Sequence, residues 1–267
     1  MSLHKWIDTL RCPEHGASVT EVPDGLRCGD GHLVPVVEGI LRFAQDGPAG
    51  RDERWSRFYD LWAPVYDVNE RVGCRLLFGL DVVAERERIV HHLGIRAGIR
   101  LLEISPGPGV YQALLANALG PHGRLAELDL SLGMLRECSR RARRAGADPL
   151  LVQANAARLP FADETFDVVF HFGGVNLFSH PDQALAEMVR VTKRGGRVAW
   201  GDEGFRASAP GGWRRSLLRR INPGFEKARP AAPRGIQVDA ELEVMGGCAW
   251  LVVARRTEGG SSHEVGS

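Results

Sequence analysis

Long apolar runs are missing from this chain. No stretch approaches the roughly 20 apolar residues that a helix needs to cross a bilayer, so membrane insertion is not expected. Charge of one sign is missing too. The 34 Lys and Arg are matched by 33 Asp and Glu, for a formal net charge of +1, which gives no global pull toward nucleic acid or anionic lipid. Cysteine is scarce, five scattered residues in 267. An odd, scattered set argues against a disulfide framework and for a reducing, cytoplasmic setting. The opening stretch MSLHKWIDTLRCPEHG is polar, so no signal peptide is expected there. No internal repeat is visible. What is present is a hydrophobic fraction of 44%, enough for a substantial core, in a length that suits one large domain, alone or with a small module.

Residues 1–48 read as a separate, turn-rich module with short strand-like runs, ASVTEV, GLRC and HLVPVV. DGPAGRDE reads as a linker, and residues 49–93 as that linker plus a helical lid interrupted at Pro64. From residue 94 to 256 the pattern alternates. IRLLEI, GRLAELD, LLVQAN, FDVVFHF and GRVAWGD are strand-like, and VYQALLANAL, LGMLRECSRRARRAG and PDQALAEMVRVT are helix-like. Strands alternating with helices imply right-handed crossovers and a parallel sheet. AELEV and CAWLVVARR around Met245-Gly246-Gly247 form a predicted closing hairpin, and the tail 257–267 reads as disordered.

The most telling stretch is LLEISPGPGVY, Leu101 to Tyr111. An apolar strand ends in an acid, turns through a Gly/Pro-rich loop and enters a helix whose first N–H groups are open to an anion. LAELDLS follows about one helix later and ends in Asp129. Next come LVQANAARLPFADETFDVVF and the passage ALAEMVRVTKRGGRVAWGDE. In order and spacing these landmarks, from about Ile95 to Asp202, resemble the class I S-adenosylmethionine-dependent methyltransferases, and among them the branch of menaquinone/ubiquinone C-methyltransferases. The resemblance implies an α/β fold with a Rossmann-like, doubly wound, mostly parallel seven-stranded sheet closed by an antiparallel hairpin.

It also implies a set of cofactor residues. Glu103, Ser105, Gly107 and Gly109 would wrap the methionine and ribose portions. Asp129, with Leu130 beside it, would accept the ribose hydroxyls; Asp129 and Ser131 also stand where a helix N-cap belongs. Asn155 and Ala156 would contact the adenine, with Asn155 where the family usually has Asp; a loop Asn capping a turn is the plainer reading. His171, at the end of the fourth strand, is a candidate base as well as a cofactor neighbour, or a buried strand histidine. Asn176 is a candidate for orienting the acceptor, and Tyr66 with Asp67 for the lid. Ser105, Pro106 and Pro108 stand where the family usually has glycine or small residues, so a stiffer loop with fewer N–H donors is expected.

Cys12, His15, Cys28 and His32 follow the spacing C-x2-H-x12-C-x3-H. Two ligand pairs on two turns suit a structural zinc, which would help a module too small to build its own core. This segment resembles zinc-ribbon-like modules of the Trm112 type and the zinc-binding N-terminus of bacterial ribosomal RNA guanine methyltransferases, with His15 in the place of a cysteine. The leading expectation is methyl transfer from S-adenosylmethionine to a small-molecule metabolite. Ribosomal RNA base methylation is the second, drawn from the zinc spacing and the basic stretch Arg206 to Arg234, which equally fits a solvated helix face. Non-methyl chemistry on the cofactor, such as cyclising its aminobutyrate arm, and a noncatalytic scaffold are the others. Oligomeric state is open.

Overall fold

In the computed structural model, residues 3–44, 71–76, 79–221 and 223–258 are described. The expected lid residues Tyr66 and Asp67 lie outside them, as does most of the tail.

The alternating pattern folds as it reads. Strands β5 (Arg100–Ile104), β6 (Arg124–Asp129), β7 (Leu150–Gln153), β8 (Phe166–Phe172) and β9 (Thr192–Glu203) run parallel. Their near-continuous apolar runs suit strands covered on both faces. Helices α2 (Gln112–Leu119), α3 (Leu132–Ala145) and α4 (Pro181–Val191) cross between them. Each helix has a local stop or start signal. Ser131 caps α3, its Oγ accepting from Met134 N–H at 3.1 Å. Gly146 ends α3 in the left-handed region, and Pro181 occupies the first turn of α4. Helix α1 (Val82–His92) precedes β5 and is capped by Asp81.

Strands β10 (Ile236–Val244) and β11 (Ala249–Arg256) form the expected hairpin, with β11 inserted antiparallel beside β9. Hence these seven strands take the order β7-β6-β5-β8-β9-β11-β10. The basic run after β9 includes helix α5 (Gly212–Ile221).

The N-terminal segment was expected to stand apart, and here the structure differs. Strands β1 (Val19–Val22), β2 (Gly25–Cys28), β3 (Leu33–Val37) and β4 (Ile40–Arg42) form an antiparallel meander. Its last strand pairs in parallel with β7, Leu41 opposite Val152, so the sheet runs on to eleven strands. Trp6, Leu10, Leu26, Val34 and Phe43 share one hydrophobic core with Ile104, Leu128, Phe161 and Phe166. The physical reason is the one that suggested zinc: the segment has too little apolar surface for a core of its own, and it borrows one face of the larger sheet.

Candidate cofactor cleft and metal centre

A cleft opens at the C-terminal ends of β5, β6 and β7, where the strand order reverses between β5 and β8 and open α/β sheets bind ligands. Its floor is the loop after β5. Ser105 there has φ of 52°, a left-handed conformation that strains a non-glycine residue. The loop is nonetheless fixed: Ser105 N–H donates to Leu128 carbonyl at 2.7 Å, and the Cys138 thiol donates to Gly107 carbonyl at 3.0 Å. Gly109, at φ of 79°, does not line the cleft; a Cβ there would sit 3.3 Å from Cys138 Sγ. Its smallness lets the loop close on α3.

Glu103 lines the cleft and is buried, and its Oε2 has no hydrogen-bond partner. Burial first, then the charges of Glu127 and Asp129, hold its carboxyl well above the usual range. Glu127 faces it from β6 and is pushed up to about 7 by burial, although Gln112 Nε2 donates to it at 2.7 Å. Such a cluster favours a cationic ligand, which would relieve the crowded negative charge. Asp129 and Leu130 line the next wall. Asp129 Oδ1 accepts from Ser131 N–H at 2.9 Å, so Ser131 is the helix cap and Asp129 stands at the strand end. Asn155 and Ala156 follow β7 along the same wall. Asn155 Oδ1 accepts from Ala157 N–H at 2.9 Å, the expected turn, and its side chain is exposed to the cleft.

Two expected residues sit elsewhere. His171 is fully buried and outside the cleft lining. Its Nδ1 lies 2.9 Å from Ile104 carbonyl, its ring packs 5.0 Å from that of Phe178, and burial lowers its pKa. It lies behind the wall, packed against Phe178, which lines the cleft. Asn176 also lies outside the lining. Its N–H donates to Asp202 Oδ2 at 2.8 Å and its carbonyl accepts from Lys227 Nζ at 2.9 Å.

The sequence reading missed Asp202. Buried at the end of β9, it accepts from the N–H groups of Gly174, Asn176 and Glu203, each at 2.8 Å, and so shapes the loop after β8. Also missed were Phe178, His180 and Glu203, which line the cleft. Only the acid ending GRVAWGDE was a signal for any of these.

At the N-terminus, two tight turns bring the four expected ligands together. Cys12 Sγ lies 3.4 Å from His15 Nδ1 and 3.2 Å from His32 Nδ1, and Cys28 Sγ lies 3.5 Å from His15 Nδ1. Ligand atoms of Cys12, His15 and Cys28 are mutually within 4.8 Å. The edges of a zinc tetrahedron with Zn–S about 2.3 Å and Zn–N about 2.0–2.1 Å are roughly 3.5 Å long. The donor set fits.

Residues 102–200 match the family model described as a methyltransferase domain. A relative, the ubiquinone/menaquinone biosynthesis C-methyltransferase UbiE of Pasteurella multocida, is 37% identical over 171 residues, 63% of each chain. The match to the Burkholderia orbicola protein of the same name is 39% over 104 residues and spans 43% of that protein; this chain thus covers less than two thirds of the curated relatives it matches. Among solved structures, the [4+2]-cyclase SpnF aligns over 80% of this chain and 98% of its own at 17% identity with a TM-score of 0.57, a likeness of fold alone. Residues 102–200 thus match a methyltransferase domain model, and the sheet order and cleft position agree with that match.

Proposed function

We propose that this protein transfers a methyl group from S-adenosylmethionine to a small-molecule acceptor. The observation that carries the reading is the orphaned, buried Glu103 Oε2 at the floor of a cleft walled by Asp129 and Asn155. S-adenosylmethionine brings a methyl on a sulfonium, an excellent leaving group, together with an ammonium that suits Glu103. In this assignment Asp129 accepts the ribose hydroxyls, Ala156 and Asn155 border the adenine, and the loop from Ser105 to Gly107 borders the methionine arm. Alignment of acceptor and methyl, with water excluded, is the main catalytic contribution of the protein. A base is needed only where the acceptor must lose a proton. Among the described residues His180 and Glu203 line the cleft and are, with His171, the candidates for that role. Tyr66 retains its proposed place in a lid. The name of the Pasteurella relative supports a small-molecule acceptor, and five free cysteines support a reducing, cytoplasmic setting.

We further assign Cys12, His15, Cys28 and His32 to one structural zinc. Metal analysis of the purified protein should return one zinc per chain, and Cys12→Ser should lose it; a metal-free wild type refutes the assignment.

Calorimetric titration with S-adenosylmethionine and S-adenosylhomocysteine, followed by mass analysis of the nucleoside, tests the main reading. Micromolar binding with the cofactor unaltered in the absence of acceptor supports it. Release of methylthioadenosine points instead to chemistry on the aminobutyrate arm, and absence of binding to the scaffold alternative.

A further inference from the structure

Next to the cleft lies a second hollow of about 310 Å³. The two are joined by consecutive residues, since Glu203 lines the cleft and Gly204 the hollow. They are joined also through Lys227, whose Nζ holds the carbonyl of Asn176 in the loop that walls the cleft. The hollow has room for roughly ten water-sized groups.

Four cations converge on it, Arg206, Arg215, Lys227 and Arg229, against one acid, Glu226. That acid is turned toward Arg219, 3.5 Å away. No ion pair of Arg206 or Arg215 is found among the described residues. Arg229 Nη2 donates to Glu241 at 2.8 Å, while its Nη1 is buried with no hydrogen-bond partner. Lys227 donates once, to Asn176, and retains two further donors.

Aromatic rings hold the cations in place. Arg215 lies over the Phe205 ring at 4.4 Å, and Arg229 over Trp250 at 5.7 Å. Phe205 and Phe225 stack at 4.9 Å. Arg215 thus differs from a solvated helix charge: its guanidinium is laid over an aromatic ring at the mouth of the hollow. The backbone has been cleared for this packing. A Cβ at Gly204 would fall 2.9 Å from Trp250 Cδ1, so a larger residue would displace the ring that supports Arg229.

We propose that this hollow binds an oxyanion, phosphate or carboxylate, carried by the acceptor molecule whose reactive atom enters the adjoining cleft. The inference rests on the methyltransferase reading and narrows its substrate class to anionic small molecules. Arg206, Arg215 and Lys227 gathered around one concavity repel one another, and a di- or trianion offsets that repulsion. The charge is local, so the near-neutral chain as a whole gave no hint of it.

The test is titration of the full-length protein with inorganic pyrophosphate and with citrate at matched ionic strength, alongside S-adenosylmethionine. The double variant Arg206→Gln/Arg215→Gln, with both changes on half-buried or exposed side chains, is measured in parallel, and Arg229→Gln serves as a second probe. Saturable binding of either anion, weakened tenfold or more in the double variant with cofactor affinity unchanged, is the expected result. Pyrophosphate preferred over citrate assigns a phosphate, and the reverse a carboxylate. Equal binding by wild type and both variants, or none, overturns the inference. Binding of a 20-nucleotide RNA but of neither small anion overturns it in favour of a nucleic-acid surface. Anion binding without cofactor binding supports the site and overturns the methyl-transfer reading instead.

Discussion

Three acids, Glu103, Glu127 and Asp129, set the electrostatics of the cleft, and their pH behaviour follows from burial. Glu127 is pushed up to about 7, above the unfolded value of about 4.3. The folded state therefore holds a proton that the unfolded state releases. The stability associated with that proton is fully present below about pH 4 and is lost as pH rises to about 7, a change on the order of 3 kcal/mol. Glu127→Gln keeps the oxygen that Gln112 donates to and removes the charge. Thermal melts should show the variant more stable than wild type at pH 8 and equal at pH 4; parallel pH curves would refute this origin. Ser105 tells a separate story. Its left-handed φ costs about 1–2 kcal/mol, partly offset because glycine is freer when unfolded. Denaturant titration of Ser105→Gly should thus show a gain of about 0.5–1 kcal/mol. Asp129→Ala should weaken cofactor binding roughly 10- to 100-fold by calorimetry, the loss of one or two hydrogen bonds to a charged acceptor.

Among the elements, α3 and the loop after β8 hold the cleft in shape. Ser131 caps α3, and Ser131→Ala should cost about 1 kcal/mol in a denaturant melt. The loop after β8 hangs on two N–H bonds to Asp202, from Gly174 and Asn176. Asp202→Ala leaves three backbone donors unpaired, and amide exchange at Gly174 and Asn176 should rise sharply while exchange in β5 stays slow. Local elements were legible to within a few residues because each carries its own period and its own caps. LGMLRECSRRARRAG announces an amphipathic helix with a Ser start and a Gly stop, and Leu132–Ala145 is that helix. The burial of His171 was one of two open readings, because strand alternation says which residues share a face, whereas both faces of a central strand are covered.

For the whole molecule, the N-terminal segment joins the main sheet through contacts that the sequence does not show. It closes the β7 edge and shares its core. Removing residues 1–44 should expose the edge and the apolar surface under Trp6, Leu10 and Phe43, giving an aggregating protein that binds hydrophobic dye. A soluble, cofactor-binding truncation would show that the sheet is complete without it.

By itself, the sequence determined the parallel order of strands and helices, the Gly/Pro-rich loop, the acid that ends β6 and the paired spacing of Cys12, His15, Cys28 and His32, since each of these is written in spacing over a few tens of residues. Only the tertiary structure decided that Leu41 pairs with Val152, that Asp202 holds the loop above the cleft, and that Arg206, Arg215 and Arg229 surround one hollow. Those contacts join residues brought together by packing, and packing leaves no period in the chain to read.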